Sequence, residues 1–513
     1  MMNAPAAVAA DTSTPQVRTP RAGIALIALG AFAVEIAVSG RYGYVRDELY
    51  FLALGHHLSF GYVDQPPLLP LLARGISWLT GNTLVGLRVL PALMMSAMVL
   101  ATAAMSRMLG ASRAGQLFAA LAAALCSEYL GVMHELITTA PDYLLEAVMI
   151  LLVMRLLASQ DPRWWIAIGG CVGVGSEVKW NIAFLAAGLV AGLLAALPRD
   201  SMRTLLRSRY LLIGAVIAAG LAAPDLIWQA VHGWPVIGMD RELQTAAGSN
   251  RASYWLVQVL FTGPVLTLIW LRGLIWSLRG QAAARRFRPV AIGCALVIMA
   301  QFVLGGKGYY PGAAYTFLLA AGTVPLRRGP SGRGARVALT ALLAVSVLAF
   351  GLIGVISGLP VLPARTLRTT QLQKVNDAIG DQIGWPALAA TIAAGYRAVP
   401  SGQRRYTAIL TGNYGEAAAV DRYGPGLGLP QAYCGSNSFW YLGPPPAADT
   451  AAIAVNVGPA LLHLEFASVR RVATFYNGLG VSDGEQGAPI YLVTGLKSSW
   501  ARAWPAFRGY EGA

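Results

Sequence analysis

The chain has 513 residues, of which 56% are hydrophobic and only 12% charged, with a formal net charge of +15. A soluble enzyme of this length carries about twice that charged fraction, and the apolar runs here reach about 17–25 residues, enough to cross a hydrocarbon core of about 30 Å. This composition excludes a soluble globular protein. The dispersal of the arginines argues against a nucleic-acid partner, which needs them gathered on one surface.

Residues 1–21, rich in Ala, Pro and Thr, are expected to form a disordered cytoplasmic tail. The apolar stretch that follows runs into Arg41-Tyr42 with no small-residue cleavage site, so it reads as an uncleaved first span and not as a signal peptide. With that span at 22–39, others are expected near 84–106, 114–132, 143–158, 164–178, 180–197, 210–228, 254–276, 289–305, 311–326 and 337–358, about eleven in all. Within 164–197 the break rests on the polar "SEVKWN" alone. Arginines such as Arg107/Arg113, Arg155/Arg163, Arg203/Arg207 and Arg327/Arg328 fall in every second loop. Short cytoplasmic loops hold such an excess, which predicts a cytoplasmic N-terminus in a multi-pass cytoplasmic-membrane protein.

The other loops then face outward: Arg41–Gly81, Met133–Asp142, "SEVKWN", Gln229–Ser253, Gly305–Gly312 and everything after about Pro360. Nearly all the unusual polar side chains lie in them, which predicts a working site on the outer face. The four cysteines, Cys126, Cys171, Cys294 and Cys434, are scattered and suggest no disulfide framework. Beyond residue 361 the apolar runs shorten to "YTAIL", "AAIAVNV" and "PIYLVTGL", alternating with helix-like segments such as Gln371–Tyr396. The expected fold is mainly α: a polytopic helical bundle over 22–360, followed by a small extracytoplasmic α/β domain over 361–513.

The first outer loop, 41–81, holds Asp47, Glu48, His56, His57 and Asp64, the last just before Gln65 and a stiff Pro66-Pro67 pair. Its stretch "RDELYFLALGHHLSFGYVDQPPLLPLL" resembles the corresponding loop of the family 39 glycosyltransferases of the GT-C superfamily. That family includes the protein O-mannosyltransferases and the lipid A aminoarabinose transferases. "TTAPDYLLEAVMILLVMRLL", "GVGSEVKWNIAFLAAGL" and "KGYYPGAAYTFLLAAG" are similar to later stretches of the family. One departure is Gln65, where some members carry Lys, so a phosphate contact at that position is open to question.

The resemblance implies a transferase that moves a sugar from a polyprenyl-phosphate carrier to a hydroxyl of an envelope acceptor (protein, lipid or glycan), with the lipid bilayer as its setting and no nucleic acid. A base must take the acceptor proton, and the resemblance points to Asp47, with Glu48 beside it. The donor and its phosphate fall to Asp64, Gln65, Asp142, Lys179, Lys307, Tyr309 and Tyr310, because a leaving phosphate needs positive charge and hydroxyl donors nearby. Asp142 is equally a plain helix cap, and the lysines equally snorkel at span ends. His232, Trp234 and Arg241, in the long outer loop, are candidates for the acceptor side. No cofactor is required; a divalent cation held by His56, His134 and Asp64 is the metal alternative, although no HxH or HExxH spacing supports it. The competing reading is a transporter or flippase using Glu35 and Glu146 inside the spans.

Overall fold

The computed structural model describes residues 19–280, 283–324, 333–370, 372–376 and 378–511. The expected tail, up to residue 18, and the Arg327/Arg328 pair lie outside them. Among the described residues, four helices are long and apolar enough to cross a membrane: Arg21–Val38, Leu84–Met108, Arg209–Val231 and Ala284–Leu304. A fifth crossing is counted if Ala247–Thr262 and Pro264–Arg279, bent by 102°, are taken as one span. Shorter apolar helices, among them Trp164–Ser176, Ile182–Ala196 and Ala314–Thr323, pack between them.

About eleven spans are expected from the sequence, and among the described residues several of those runs are shortened or broken, each for a local reason. The run at 254–276 breaks because Gly263 adopts φ 80 and Pro264 has no N–H to continue the ladder. The run at 311–326 keeps only the ten buried residues Ala314–Thr323, since the turns before them fold into the polar centre. The run at 114–132 divides at Cys126 into Arg113–Ala124 and Ser127–Val132. "SEVKWN" does separate two helices. Glycines let the helix backbones meet: a Cβ on Gly169 would stand 2.0 Å from the Gly214 carbonyl oxygen. Without a hydrophobic drive in lipid, such close approach is what holds crossing helices together.

The segment 41–81 is itself largely helical. Arg46–His56 and Leu68–Leu79 are joined by an irregular stretch containing Asp64 and the two prolines.

The final hundred residues form one five-stranded sheet: β1 (Thr407–Thr411), β2 (Ala432–Cys434), β3 (Ala451–Val455), β4 (Phe466–Thr474) and β5 (Pro489–Leu496), in the order β2-β1-β3-β5-β4. β1 pairs parallel with both β2 and β3, and β5 runs antiparallel to β3 and β4. β1 is buried along its whole length, and the helix Tyr414–Tyr423 carries the chain from β1 to β2. The segment Gln371–Tyr396 is not one helix: it contains Leu372–Val375, Ala378–Asp381 and the start of Trp385–Arg397, which opens after Gly384 at φ 106.

Residues beyond 361 clamp the segment 41–81. Tyr42 donates from its hydroxyl to the Leu362 carbonyl (2.8 Å), Gly43 donates its N–H to the Gln382 carbonyl (2.9 Å), and Arg422 donates to the Asn82 carbonyl (2.7 Å).

Candidate active site

Val45 is extended and precedes the helix Arg46–His56, whose first turn holds Asp47 and Glu48. Positive charge at a helix N-terminus favours carboxylates there. The two neighbours nevertheless have different surroundings. Glu48 is fully buried; its Oε1 accepts from Arg88 Nε (3.0 Å) and the Leu136 N–H (3.1 Å), and its Oε2 from Arg88 Nη2 (2.9 Å) and the Val45 N–H (3.1 Å). All four acceptor positions of the carboxylate are filled. Glu48 thus has no lone pair to offer a substrate, and its expected catalytic part gives way to that of an anchor for the turn that carries Asp47.

Arg88, on the span Leu84–Met108, spends its other N–H groups on the Ser39 and Gly43 carbonyls, both at 3.0 Å, and on His134 Nε2 at 3.2 Å. Burial, with Arg88 alongside, holds His134 well below its ordinary pKa. The neutral ring therefore accepts from Arg88 and donates from Nδ1 to Glu35 Oε2 (3.0 Å).

Asp47 is half-buried, and its Oδ1 accepts from the Tyr414 hydroxyl at 2.9 Å. Burial pushes its carboxyl above the ordinary value, while the Tyr414 hydrogen bond and the charges of Arg46, Lys307 and Lys179 pull it back. Arg46 is itself held by Asp381 at 3.1 Å. Lys179 donates to Thr139 Oγ1 (3.0 Å) and lies 5.2 and 4.9 Å from the ring centres of Tyr309 and Tyr310. Lys307 stands 5.9 Å from the Tyr309 ring. Asn181 donates from Nδ2 to Asp142 Oδ2 (3.2 Å), Glu146 Oε1 (3.1 Å) and the Tyr310 carbonyl (3.1 Å). Asp142 makes no capping bond with its side chain, and its buried Oδ1 has no partner among the described residues. Lys179 and Lys307 thus gather around Tyr309 and Tyr310, and their charge acts on the Asp47 carboxyl, whose pKa burial raises.

Asp64 faces the sheet unit. Its Oδ1 accepts from the Tyr50 hydroxyl (3.0 Å) and Ser438 Oγ (3.3 Å), its Oδ2 from Asn437 Nδ2 (3.2 Å), and burial pushes its pKa up to about 6. Gln65 is buried with Nε2 unpartnered among the described residues. The candidate cation ligands do not gather: His56 is exposed at the end of its helix, both His134 nitrogens are engaged, and Asp64 is tied to three donors. Among the described residues no group of three or more His, Cys, Asp or Glu side chains forms a metal site. His232 stacks on Trp228 at 4.1 Å and meets Tyr441 at 5.5 Å. Trp234 turns the chain at φ 57, and Arg241 is exposed on the helix Pro235–Gln244. The intramembrane charges of the transporter reading are engaged: Glu35 with His134, Glu146 with Asn181.

Tyr414 gives a test of the site's pH behaviour. If Asp47 is the base, it works only when ionised, and activity is lost as pH falls through its raised pKa. Tyr414→Phe removes a hydrogen bond to the ionised form, and the acid limb of kcat/KM is expected to move up by about one pH unit. A full pH profile of the variant measures the shift.

The family model for dolichyl-phosphate-mannose-protein mannosyltransferases matches residues 64–228. That match covers about a third of the chain. No curated protein matches it in sequence. Among solved structures, the chain is similar in fold to ArnT from Cupriavidus metallidurans bound to undecaprenyl phosphate, with TM-score 0.59 and 16% identity over 92% of this chain and 98% of that one. It is also similar to a mutant of the arabinofuranosyltransferase AftD from Mycobacteria, with TM-score 0.54 and 15% identity over 93% of this chain and 42% of that one.

Three residues of this candidate site escaped the sequence reading. Arg88 carried a usable signal, a charge inside an apolar run. Arg46 stands beside the acidic pair. Tyr414 carried none: its contact to Asp47 spans 367 positions.

Proposed function

We propose that the protein transfers a sugar from a polyprenyl-phosphate donor to a hydroxyl of an envelope acceptor, with Asp47 as general base. The observation that carries this reading is the gathering of Lys179 and Lys307 on the Tyr309-Tyr310 pair, whose positive charge acts on the Asp47 carboxyl. As the acceptor oxygen attacks the anomeric carbon, its proton passes to Asp47. The bond from that carbon to the phosphate oxygen breaks, and the polyprenyl phosphate leaves as an anion beside the two lysines. Fixed positive charge at a developing anion lowers the barrier without reorganising water. Asp142, Tyr309 and Tyr310 surround the donor sugar in this reading, while Glu48 and Asp64 hold the framework.

The undecaprenyl phosphate bound to the similar ArnT supports the donor class. A donor with its tail in lipid and its phosphate at the interface fits a site just beyond the spans. The reading puts residues 22–360 in the membrane with the catalytic segment 41–81, residues 361–513 outside, and the active face on the outer side of the cytoplasmic membrane, as the arginine distribution predicts.

The test is incorporation of label from a radiolabelled polyprenyl-phosphate sugar into envelope acceptors by the purified protein in proteoliposomes. Lys179→Met and Lys307→Met are each expected to raise the donor KM about tenfold, the worth of one charge-assisted hydrogen bond. Label that crosses the vesicle wall without incorporation replaces the transferase reading with transport.

A further inference from the structure

In an open sheet with parallel strands, ligands bind in the crevice outside the strands' carboxyl ends, where successive connections diverge. β1 lies between its parallel neighbours β2 and β3, so the crevice opens at the ends of these three strands. Each end delivers an asparagine: Asn413 after β1, Asn437 at φ 47 after β2, and Asn456 at φ 54 after β3. Asn413 Nδ2 donates to both oxygens of Glu485 (3.1 and 3.2 Å), and Asn456 Nδ2 reaches the same carboxylate at 3.4 Å. Ser436 Oγ is buried beside Glu511 at the end of β2 and makes no hydrogen bond of acceptable geometry among the described residues.

The crevice adjoins the base. Tyr414, the next residue after Asn413, donates to Asp47, and Asn437 donates to Asp64. Arg46, immediately before Asp47, senses the charges of both Asp381 and Glu485. The lysine-lined donor side and this crevice both reach one carboxylate, which is the arrangement a two-substrate transfer needs.

We propose that the crevice at the carboxyl ends of β1, β2 and β3 is the acceptor site, and that it takes a glycan free of acidic groups and presents one of its hydroxyls to Asp47. This rests on the transferase reading above. Asn413 and Asn437 spend both Nδ2 hydrogens within the protein, so the exposed amide of Asn456 beside the Glu485 carboxylate is the donor–acceptor pair presented to vicinal hydroxyls. On the crevice side the carboxylates of Asp381, Glu485 and Glu511 outnumber Arg46, while Lys179 and Lys307 act on Asp47, which disfavours a phosphorylated or acidic acceptor in the crevice. A peptide acceptor would pair with a sheet edge, and β2, the edge strand nearest Asp47, has only three residues.

The test uses full-length protein in nanodiscs, with Asn456→Gly, which suits the left-handed backbone at that exposed position, and Glu511→Gln. The acceptor probe is the neutral oligosaccharide pool released from envelope glycolipids of the source cells. Each variant is expected to raise the KM for this pool about tenfold, one hydrogen bond's worth, with kcat at saturating glycan changed far less. An unchanged glycan KM in both variants overturns the site. Transfer to a Ser/Thr peptide pool with none to the glycans overturns the acceptor class. Saturation-transfer NMR with the same oligosaccharides, in the absence of donor, separates this inference from the donor reading. Binding that weakens in Asn456→Gly supports the crevice even if no polyprenyl donor is turned over, and no binding to the wild type overturns it.

Discussion

Replacing Asp47 with Asn is expected to slow sugar transfer by about 10²–10⁴-fold, the range of a lost general base, with donor KM changed by no more than about twofold. Asn keeps the size of the side chain and still accepts from the Tyr414 hydroxyl, so the helix Arg46–His56 and its contact with the sheet unit persist. What disappears is the capacity to take a proton. The carboxylate also draws the positive charge of Lys179, Lys307 and Arg46, as the pull of these groups on its pKa records. In the Asn variant the ammonium groups remain available to the donor phosphate, and donor affinity is therefore retained. Single-turnover kinetics with labelled donor separates the two quantities. A variant that transfers sugar at the wild-type rate sinks the assignment of the base.

Arg88→Met is expected to cost about 3–5 kcal/mol of stability, the penalty for leaving a buried charge without its partner. Glu48 would keep only its two backbone donors, Val45 and Leu136. The Ser39 and Gly43 carbonyls and His134 would each lose a donor as well. Replacing Glu48 and Arg88 together by methionine removes the unpaired charge. For an isolated buried pair that swap is often neutral, but here the Val45 and Leu136 N–H groups are left unsatisfied. The double variant is expected to recover only part of the loss. Thermal unfolding in detergent, with both single variants beside the double one, measures the coupling. Activity falls with it, because the same network sets the position of Asp47.

Much of the plan was legible because its signals are local. Apolar run length marked the membrane helices, and "YTAIL", "AAIAVNV" and "PIYLVTGL" contain or overlap β1, β3 and β5. Gly263-Pro264 could have foretold the bend, since the chemistry of that step is written in two residues. The span count was less legible because hydrophobicity does not distinguish a helix that crosses lipid from one packed inside protein. Ala314–Thr323 is the example: apolar on every side, and buried on every side.

By itself the sequence determined that this chain is greasy enough for a bilayer, that its ionisable residues concentrate in particular connecting segments, and that Asp47 sits where a helix begins. Composition and short-range pattern suffice for such statements, because each depends on residues within a few turns of one another. Only the tertiary structure decided which carboxylate has its acceptor positions filled by the protein. Asp47 and Glu48 are adjacent and chemically alike, yet Arg88, forty positions on, fills one of them, and Tyr414, from the far end of the chain, orients the other. A buried acid's role is set by the donors that surround it, and here those donors arrive from distant parts of the sequence.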